Sequence, residues 1–220
     1  MKVVRRSAGE LRSARVVHIV QRMAPGGIET LVLDLVARSG SQDDIFSLEG
    51  SVDELTMGWP PLAAYRSVLT GFDRKPGLTP SLVRRLATRL RELSPRVVVA
   101  HHVGPLVYGG LAARIAGVPC LVYVEHDVWH YTNPRARLLA RVVATLTHPH
   151  YVAVSQSIAV AMLAIFRRAN VKVISPAIDT ERFLPRDRNR SVSIAGGITF
   201  TSARRKIARI ATAMLWETAM

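Results

Sequence analysis

The sequence contains little cysteine and few aromatic residues. Cys120 is the single cysteine among 220 residues, which excludes an internal disulfide framework and a cysteine-rich zinc module and is typical of a reducing compartment. Aromatic residues make up 6%, and neither an RNP-like aromatic run nor a Cys/His finger occurs, so no nucleic-acid partner is expected. With 49% hydrophobic and 21% charged residues, the chain has enough apolar groups to exclude an intrinsically disordered protein.

Acidic residues and lysine are scarce as well. The 30 basic residues against 16 acidic ones give a net charge of +14, and all but four of the basic residues are arginine. The arginines concentrate before residue 16, between residues 84 and 91, and after residue 181. A codon-composition bias would give the same count. The uneven distribution favours a surface that meets anions, such as nucleotide phosphates or acidic lipid headgroups.

No segment has the pattern of a secretory signal or of a membrane span. The first fifteen residues are basic and have no apolar stretch before Val16, which does not fit a signal peptide. Residues 142–166 carry no Asp, Glu, Lys or Arg and are long enough to cross a bilayer, but His148-Pro149-His150 interrupts them. We interpret this stretch as a helix end, a strand and a new helix, and we expect a cytoplasmic protein.

Short β-branched runs alternate with longer helical periods along most of the chain. Strands are predicted at 16–20, 44–48, 67–70, 97–101, 121–125, 151–154 and 171–174, and helices at 28–38, 80–93, 106–116, 134–146 and from Ser155 or Gln156 onward. Thr79 is expected to cap the second helix, with Pro80 at its first position. Residues 50–77 otherwise give no clear pattern. The alternation predicts an α/β fold, a Rossmann-like parallel sheet with helices on both faces.

Ligands of such sheets bind beyond the carboxyl ends of the strands, so the loops that follow the strands are the candidates for a site. The first of these loops contains Gly26 and Gly27 and leads into a helix. Two glycines let the backbone approach a ligand, and the first-turn amides of the helix favour an anion such as a diphosphate. Neither the dinucleotide fingerprint nor a P-loop is present, and a plain tight turn is the alternative.

Histidines follow two other strands, as His101-His102 and as His126-Asp127. A zinc site would need several of His101, His102, His126 and His130 to converge. Adjacent residues on a strand point to opposite faces, so no metal is expected. A neutral histidine that hydrogen-bonds a sugar hydroxyl fits better, whereas a purely structural role is preferred for His18, His148 and His150. Neither a serine-hydrolase elbow nor a paired-carboxylate glycosidase is supported.

Several segments, in this order and spacing, resemble the N-terminal half of family-4 glycosyltransferases, which have the GT-B fold of two Rossmann-like domains. They are Val-Val-His-Ile-Val (16–20), Pro-Gly-Gly-Ile-Glu-Thr (25–30), Val-Val-Val-Ala-His-His (97–102), Gly-Leu-Ala-Ala-Arg-Ile-Ala-Gly-Val-Pro (110–119), Leu-Val-Tyr-Val-Glu-His-Asp (121–127), Val-Ala-Val-Ser-Gln-Ser (152–157) and Val-Ile-Ser-Pro-Ala-Ile-Asp-Thr-Glu-Arg-Phe-Leu-Pro (173–185). The resemblance covers about residues 15–186.

The resemblance implies a retaining transfer of a sugar from a nucleotide-diphosphate sugar to an acceptor, without a cofactor or metal. It implies that Gly26, Gly27 and Glu29 form a loop at the donor diphosphate and the acceptor, and that His126 is catalytic beside the donor sugar. His102, Asp127 and Ser155 are expected to contact substrate. The acceptor is expected to be lipid-linked or a polysaccharide of the cell envelope, with the arginine-rich helix and N-terminal segment touching the inner membrane face.

The sequence departs from the family pattern at its C-terminal end. The family's second domain carries a Glu-(seven residues)-Glu motif, whereas Asp187 and Glu217 are the only carboxylates after Phe183. Pro176-Ala177-Ile178-Asp179 stands where the family usually has Asn-Gly-Ile-Asp. We therefore expect a basic tail (1–14), one glycosyltransferase domain (15–186) and an aberrant or truncated tail (187–220), inactive alone. A non-catalytic remnant that binds a partner and half of a sugar-nucleotide epimerase are the alternatives.

Overall fold

The computed structural model describes residues 14–39 and 42–175, which form a seven-stranded sheet. All six strand pairings are parallel, in the order β3-β2-β1-β4-β5-β6-β7. This confirms the predicted Rossmann-like parallel sheet, including the parallel pairing of the strands at 97–101 and 121–125. Apart from Ala14, the predicted N- and C-terminal tails lie outside the described residues, as does the Pro176–Asp179 segment.

The strands have nearly the predicted bounds. They are β1 (Val16–Arg22), β2 (Asp44–Glu49), β3 (Leu69–Gly71), β4 (Val97–His101), β5 (Cys120–Glu125), β6 (His150–Ala153) and β7 (Val171–Val173). Their sequences are dominated by β-branched and other apolar residues because most positions are buried on both faces of the sheet.

The helices lie between the strands. They are α1 (Gly27–Ser39), α2 (Val52–Gly58), α3 (Pro80–Leu93), α4, α5 (Pro134–Thr147) and α6 (Gln156–Ile165). The label α4 covers three consecutive pieces, Val103–Pro105, the π-helical Leu106–Gly110 and Leu111–Ala116. Residues 50–77 contain α2 and a 3₁₀ turn (Pro60–Tyr65), which the sequence pattern did not indicate.

The two faces of the sheet have separate apolar cores. Helices α1 and α2 cover one face over β1 and β2, through Val32, Leu33 and Leu55. Helices α3 to α6 cover the other face, where Leu86 and Met162 pack with strand residues. Helices therefore lie on both faces, as predicted. Burying these side chains supplies the main stabilisation of the domain, at about 25 cal/mol per Å² of apolar surface.

The predicted end of the helix at 106–116 and the predicted start of the helix at Ser155 or Gln156 are confirmed, whereas the predicted cap at Thr79 is wrong. The Ser155 hydroxyl caps α6 by accepting a hydrogen bond from the Ile158 amide (3.3 Å), and Gly117 ends α4 in the left-handed conformation at φ +75°. Thr79 precedes α3 but its side chain makes no capping hydrogen bond. Its own amide donates to the Tyr108 hydroxyl instead (3.2 Å). Tertiary packing with α4 here replaces the expected local cap.

The uncharged stretch 142–166 is divided as predicted. Helix α5 ends at Thr147, with His148 in the left-handed conformation, β6 begins at His150 and α6 begins at Gln156. Within 14–39 and 42–175, none of the helices combines the length and the apolar character that a bilayer crossing requires.

Candidate active site at the carboxyl edge of the sheet

Three histidines form a hydrogen-bonded line on the face of the sheet that α1 covers. His18 lies within β1 and pairs in register with Val99, two residues before His101 at the end of β4. His101 pairs with Val124, two residues before His126. Because side chains alternate along a strand, all three imidazoles point to the same face, each one step closer to the carboxyl edge.

The contacts between these rings are close. His18 Nδ1 lies 3.2 Å from His101 Nε2, and His101 Nδ1 lies 3.0 Å from His126 Nε2. At the inner end, His18 Nε2 lies 3.9 Å from Oδ2 of Asp43, a carboxylate that is itself buried. We call Asp43, His18, His101 and His126 the imidazole chain. It runs from the interior of the domain to the edge where ligands of such sheets bind.

The three histidines of the imidazole chain are uncharged near neutral pH. His18 and His101 are 3% and 2% exposed, and burial is the main cause of the lowered pKa of each. Burial also lowers the pKa of His126, to about 4, with the charge of His102 adding to the effect. Neutral imidazoles can each donate one hydrogen bond and accept another, so a line of them satisfies buried nitrogens without charge.

A second polar cluster is centred on Glu125, whose carboxylate lies on the opposite face of the sheet. This side chain is fully buried, and its Oε1 lies 2.6 Å from Nδ1 of His102. Nε2 of His102 lies 3.5 Å from Oδ2 of Asp127. The ring centroid of His102 also lies 5.3 Å from that of His126, so His102 contacts both clusters at the carboxyl edge. The full separation from His101 that the sequence predicted is therefore not observed. His102 adopts φ +73°, an uncommon conformation for a non-glycine residue and one found most often at functional sites.

Two tyrosines hold the segment after β5 against the domain. The hydroxyl groups of Tyr123 and Tyr131 contact each other, and Tyr123 also donates to Glu125. Burial is the largest cause of the raised pKa of both phenols, so they stay protonated and can donate. Both rings pack edge-on against Phe166, with ring centroids 6.0 and 6.2 Å away. These contacts fix the loop that carries His126 and Asp127.

The glycine loop lies after β1, at the same edge. A Cβ atom at Gly26 would collide with the Glu29 carboxylate, so glycine at this position lets Glu29 close over the first turn of α1. A Cβ at Gly27 would meet nothing within 4 Å. Burial raises the pKa of Glu29, while a hydrogen bond to its own backbone and the charge of His102 oppose the rise. A Cβ at Gly104, just after β4, would collide with the Gln21 side chain at the end of β1, so the segments after these two strands lie against each other.

The predicted site residues thus fall into two groups. His102, His126 and Asp127 lie together at the carboxyl edge, and Gly26, Gly27 and Glu29 lie in the loop after β1 at the same edge. The Ser155 hydroxyl is instead occupied in capping α6 and in a 2.9 Å contact with Ser157. The sequence did not predict the hydrogen-bonded links made by His18, His101, Glu125, Tyr123 and Tyr131. The signal was the same-face spacing of His18, His101 and His126, which becomes visible only when the strand register is known.

One histidine and two carboxylates of the cluster centred on Glu125 belong to the residue types that bind metal ions in proteins. The ligand atoms of His102, Glu125 and Asp127 lie within 4.8 Å of one another. A ligating imidazole must turn a lone pair to the ion, whereas both ring nitrogens of His102 face carboxylate oxygens. The arrangement is that of a histidine held between two acids, and we assign these residues to hydrogen bonding. The side chain of His130 lies outside the part of the chain that the structure describes.

A parallel sheet with helices on both faces defines an α/β Rossmann-like domain, in which the carboxyl edge is the usual place for a ligand. Residues 15–182 match the family described as Glycosyltransferase Family 4, and the chain belongs to that family. Among curated protein sequences, none matches this chain significantly.

Solved structures with the same fold include the Anabaena protein HepE in complex with UDP, which has 22% identity and a TM-score of 0.61 over 76% of this chain and 45% of that protein. UDP-N-acetylglucosamine 2-epimerase has 17% identity and a TM-score of 0.55, covering 81% of this chain and 53% of the epimerase. The lipopolysaccharide outer core galactosyltransferase WaaB has 14% identity and a TM-score of 0.51, covering 90% and 66%. The chain spans about half the length of HepE and of the epimerase.

The depressed pKa of His126 predicts a specific loss of stability in acid. The folded state resists protonation of His126 down to about pH 4, whereas the unfolded chain takes up the proton near pH 6.5. The stability contribution is therefore intact above pH 6.5 and is lost as the pH falls from 6.5 toward 4. Between pH 7 and pH 5, we expect His126 to account for a fall of about 2 kcal/mol in the free energy of unfolding.

Urea denaturation of the wild type and of His126→Gln at both pH values measures this fall. The variant lacks the titrating group, so its free energy of unfolding should depend less steeply on pH. His148→Asn, which removes an exposed histidine outside the imidazole chain, is the matched control. Equal slopes for the wild type and His126→Gln would contradict the assignment.

Proposed function

We propose that this chain is the acceptor-side half of a retaining hexosyltransferase that moves a sugar from a nucleotide-diphosphate sugar to an acceptor. The observation that supports the proposal is that the glycine loop after β1 and the histidine loops after β4 and β5 share one sheet edge, in a chain of glycosyltransferase family 4. UDP and glucose bound to HepE are consistent with a nucleotide sugar as the ligand at this edge.

In the proposed reaction, the amides at the start of α1 face the donor diphosphate. The open space at Gly27 lets phosphate oxygens approach the backbone, and Glu29 swings away from the first turn of α1 as the anion arrives. His126, neutral at physiological pH, hydrogen-bonds the donor sugar. His102 and Asp127 lie beside it and contact substrate hydroxyls, while Glu125 holds His102 in place.

The acceptor is proposed to be lipid-linked or a polysaccharide, reached from the cytoplasmic side of the inner membrane. The supporting feature is the exposed arginine face of α3, which includes Arg84, Arg85 and Arg91. Arginines of this kind are attracted to anionic lipid headgroups at about 1 kcal/mol each near the surface.

The proposal is tested with this chain alone and with the same chain joined to a donor-binding half. Each is given nucleotide-diphosphate sugars with a lipid-linked acceptor in anionic vesicles or with a polysaccharide, and sugar transfer and C2 epimerisation are both measured. We expect no transfer by the chain alone, because half a cleft leaves little transition-state stabilisation, and transfer by the joined form. Epimerisation instead would assign the chain to an epimerase, and neither activity in the joined form would indicate a non-catalytic remnant.

The joined enzyme also tests His126. Replacing His126 by alanine removes a hydrogen bond that strengthens in the transition state, so we expect turnover to fall by about 10²-fold or more. Turnover is normalised to the folded fraction, which the melting curve gives. A purely structural His126 would lower the melting temperature and leave turnover per folded molecule unchanged, and that result would reject the catalytic role.

Gly27→Val tests the glycine loop in the same enzyme. The added side chain meets no atom of the protein within 4 Å at its Cβ, so the domain should fold, while the valine blocks the approach of the diphosphate and abolishes transfer. Gly58→Val is the matched control, since Gly58 at the C-terminal end of α2 also has open space at its Cβ. Full activity of Gly27→Val would contradict a role for this loop in donor binding.

A further inference from the structure

The imidazole chain has a property that follows from counting protons. Three neutral imidazoles carry three ring protons, one on each ring. Each of the two contacts, at 3.2 and 3.0 Å, is a hydrogen bond only when one of its two nitrogens carries a proton and the other does not. These conditions leave two arrangements for the whole chain and no mixed one.

In the first arrangement, every ring is protonated on Nδ1. His18 then donates to His101, His101 donates to His126, and the Nδ1–H of His126 is left to donate to a ligand. In the second, every ring is protonated on Nε2. The bonds then run the other way, His18 directs its Nε2–H toward Asp43, and His126 keeps a bare Nδ1 that can only accept.

Asp43 distinguishes the two arrangements by its charge. Its Oδ2 lies 3.9 Å from His18 Nε2, which is too long for a good hydrogen bond but close enough for a strong Coulomb effect between buried groups. A lone pair on Nε2 facing the carboxylate is repelled, whereas an N–H facing it is attracted. The carboxylate therefore favours the arrangement in which all three rings carry the proton on Nε2. Glu125 and Asp127 act on His126 in the opposite sense. Their effect is weakened because Glu125 is bonded to His102 and Asp127 is 39% exposed.

We propose that Asp43, His18 and His101 are positioning residues that hold His126 in its Nε2–H tautomer, with Nδ1 presented as a hydrogen-bond acceptor. The inference rests on the proposed function for its meaning in catalysis, since it makes a hydroxyl group of the sugar, and not an anionic oxygen, the partner of His126. Burial lowers the pKa of all three histidines, which keeps one proton on each ring at neutral pH.

The test is ¹⁵N NMR of the full chain with ¹⁵N-labelled histidine, at pH 7 and without ligand. Two-bond proton–nitrogen correlations show which ring nitrogen carries the proton in each histidine, and single His→Gln variants assign the signals. We expect His18, His101 and His126 all to be protonated on Nε2. An Nδ1–H tautomer at any of the three would overturn the proposal.

Asp43→Asn tests the cause of the preference. Loss of the charge should shift the Nδ1 signal of His126, two hydrogen bonds away, toward the protonated position. Asp44→Asn is the matched control, because this neighbouring carboxylate pairs with Arg15 at 3.3 Å. An unshifted His126 signal in a folded Asp43→Asn protein would overturn the role of Asp43.

A second variant covers the case in which Asp43→Asn does not fold. His18→Gln removes the imidazole of His18 and with it the hydrogen bond between the His18 and His101 rings. The His126 signal should then report a mixture of tautomers. A His126 signal that stays wholly Nε2–H in this variant would overturn the proposal. The NMR result does not depend on sugar transfer, so a failed transfer assay with the expected tautomers would reject the proposed function and leave the positioning role intact.

Discussion

The parallel register of β1, β4 and β5 is the constraint on which the site depends. It places His18, His101 and His126 on one face in successive steps of two residues, so that each imidazole reaches the next. Buried ring nitrogens are costly when they lack a partner. A shift of one residue in any of these strands would turn one histidine to the other face and leave its neighbours unpaired. The hydrogen bonds of the imidazole chain and the register of these strands therefore stabilise each other.

The same alternation explains why adjacent residues serve different networks. Glu125 and His126 lie on opposite sides of the sheet after β5, and His102 contacts both of them at the carboxyl edge. One side carries neutral imidazoles, whose pKa values burial lowers. The other carries a buried carboxylate held by His102 and by a tyrosine hydroxyl. The loop between β5 and α5 is thus anchored from both faces, which gives His126 a fixed position.

A site built in this way at the exposed edge of one domain suits a two-domain enzyme. The backbone at Gly27 is exposed and has open space around it, while the polar side chains behind it are buried and bonded. In the proposed enzyme, this chain would form the rigid side of the cleft and the donor-binding half would complete it. Precise positioning by a rigid scaffold is what transition-state stabilisation requires.

The sequence by itself determined the strands, most of the helices, the glycine loop and the position of His126 after a buried strand. These features depend on local periodicity and on glycine and proline signals, which a chain carries without its neighbours. Tertiary structure alone decided that His18 belongs to the site, that Glu125 holds His102, and that Thr79 does not cap α3. Each of these depends on a contact between residues distant in sequence, 83 positions apart for His18 and His101, and such contacts are set by strand order and register rather than by local pattern.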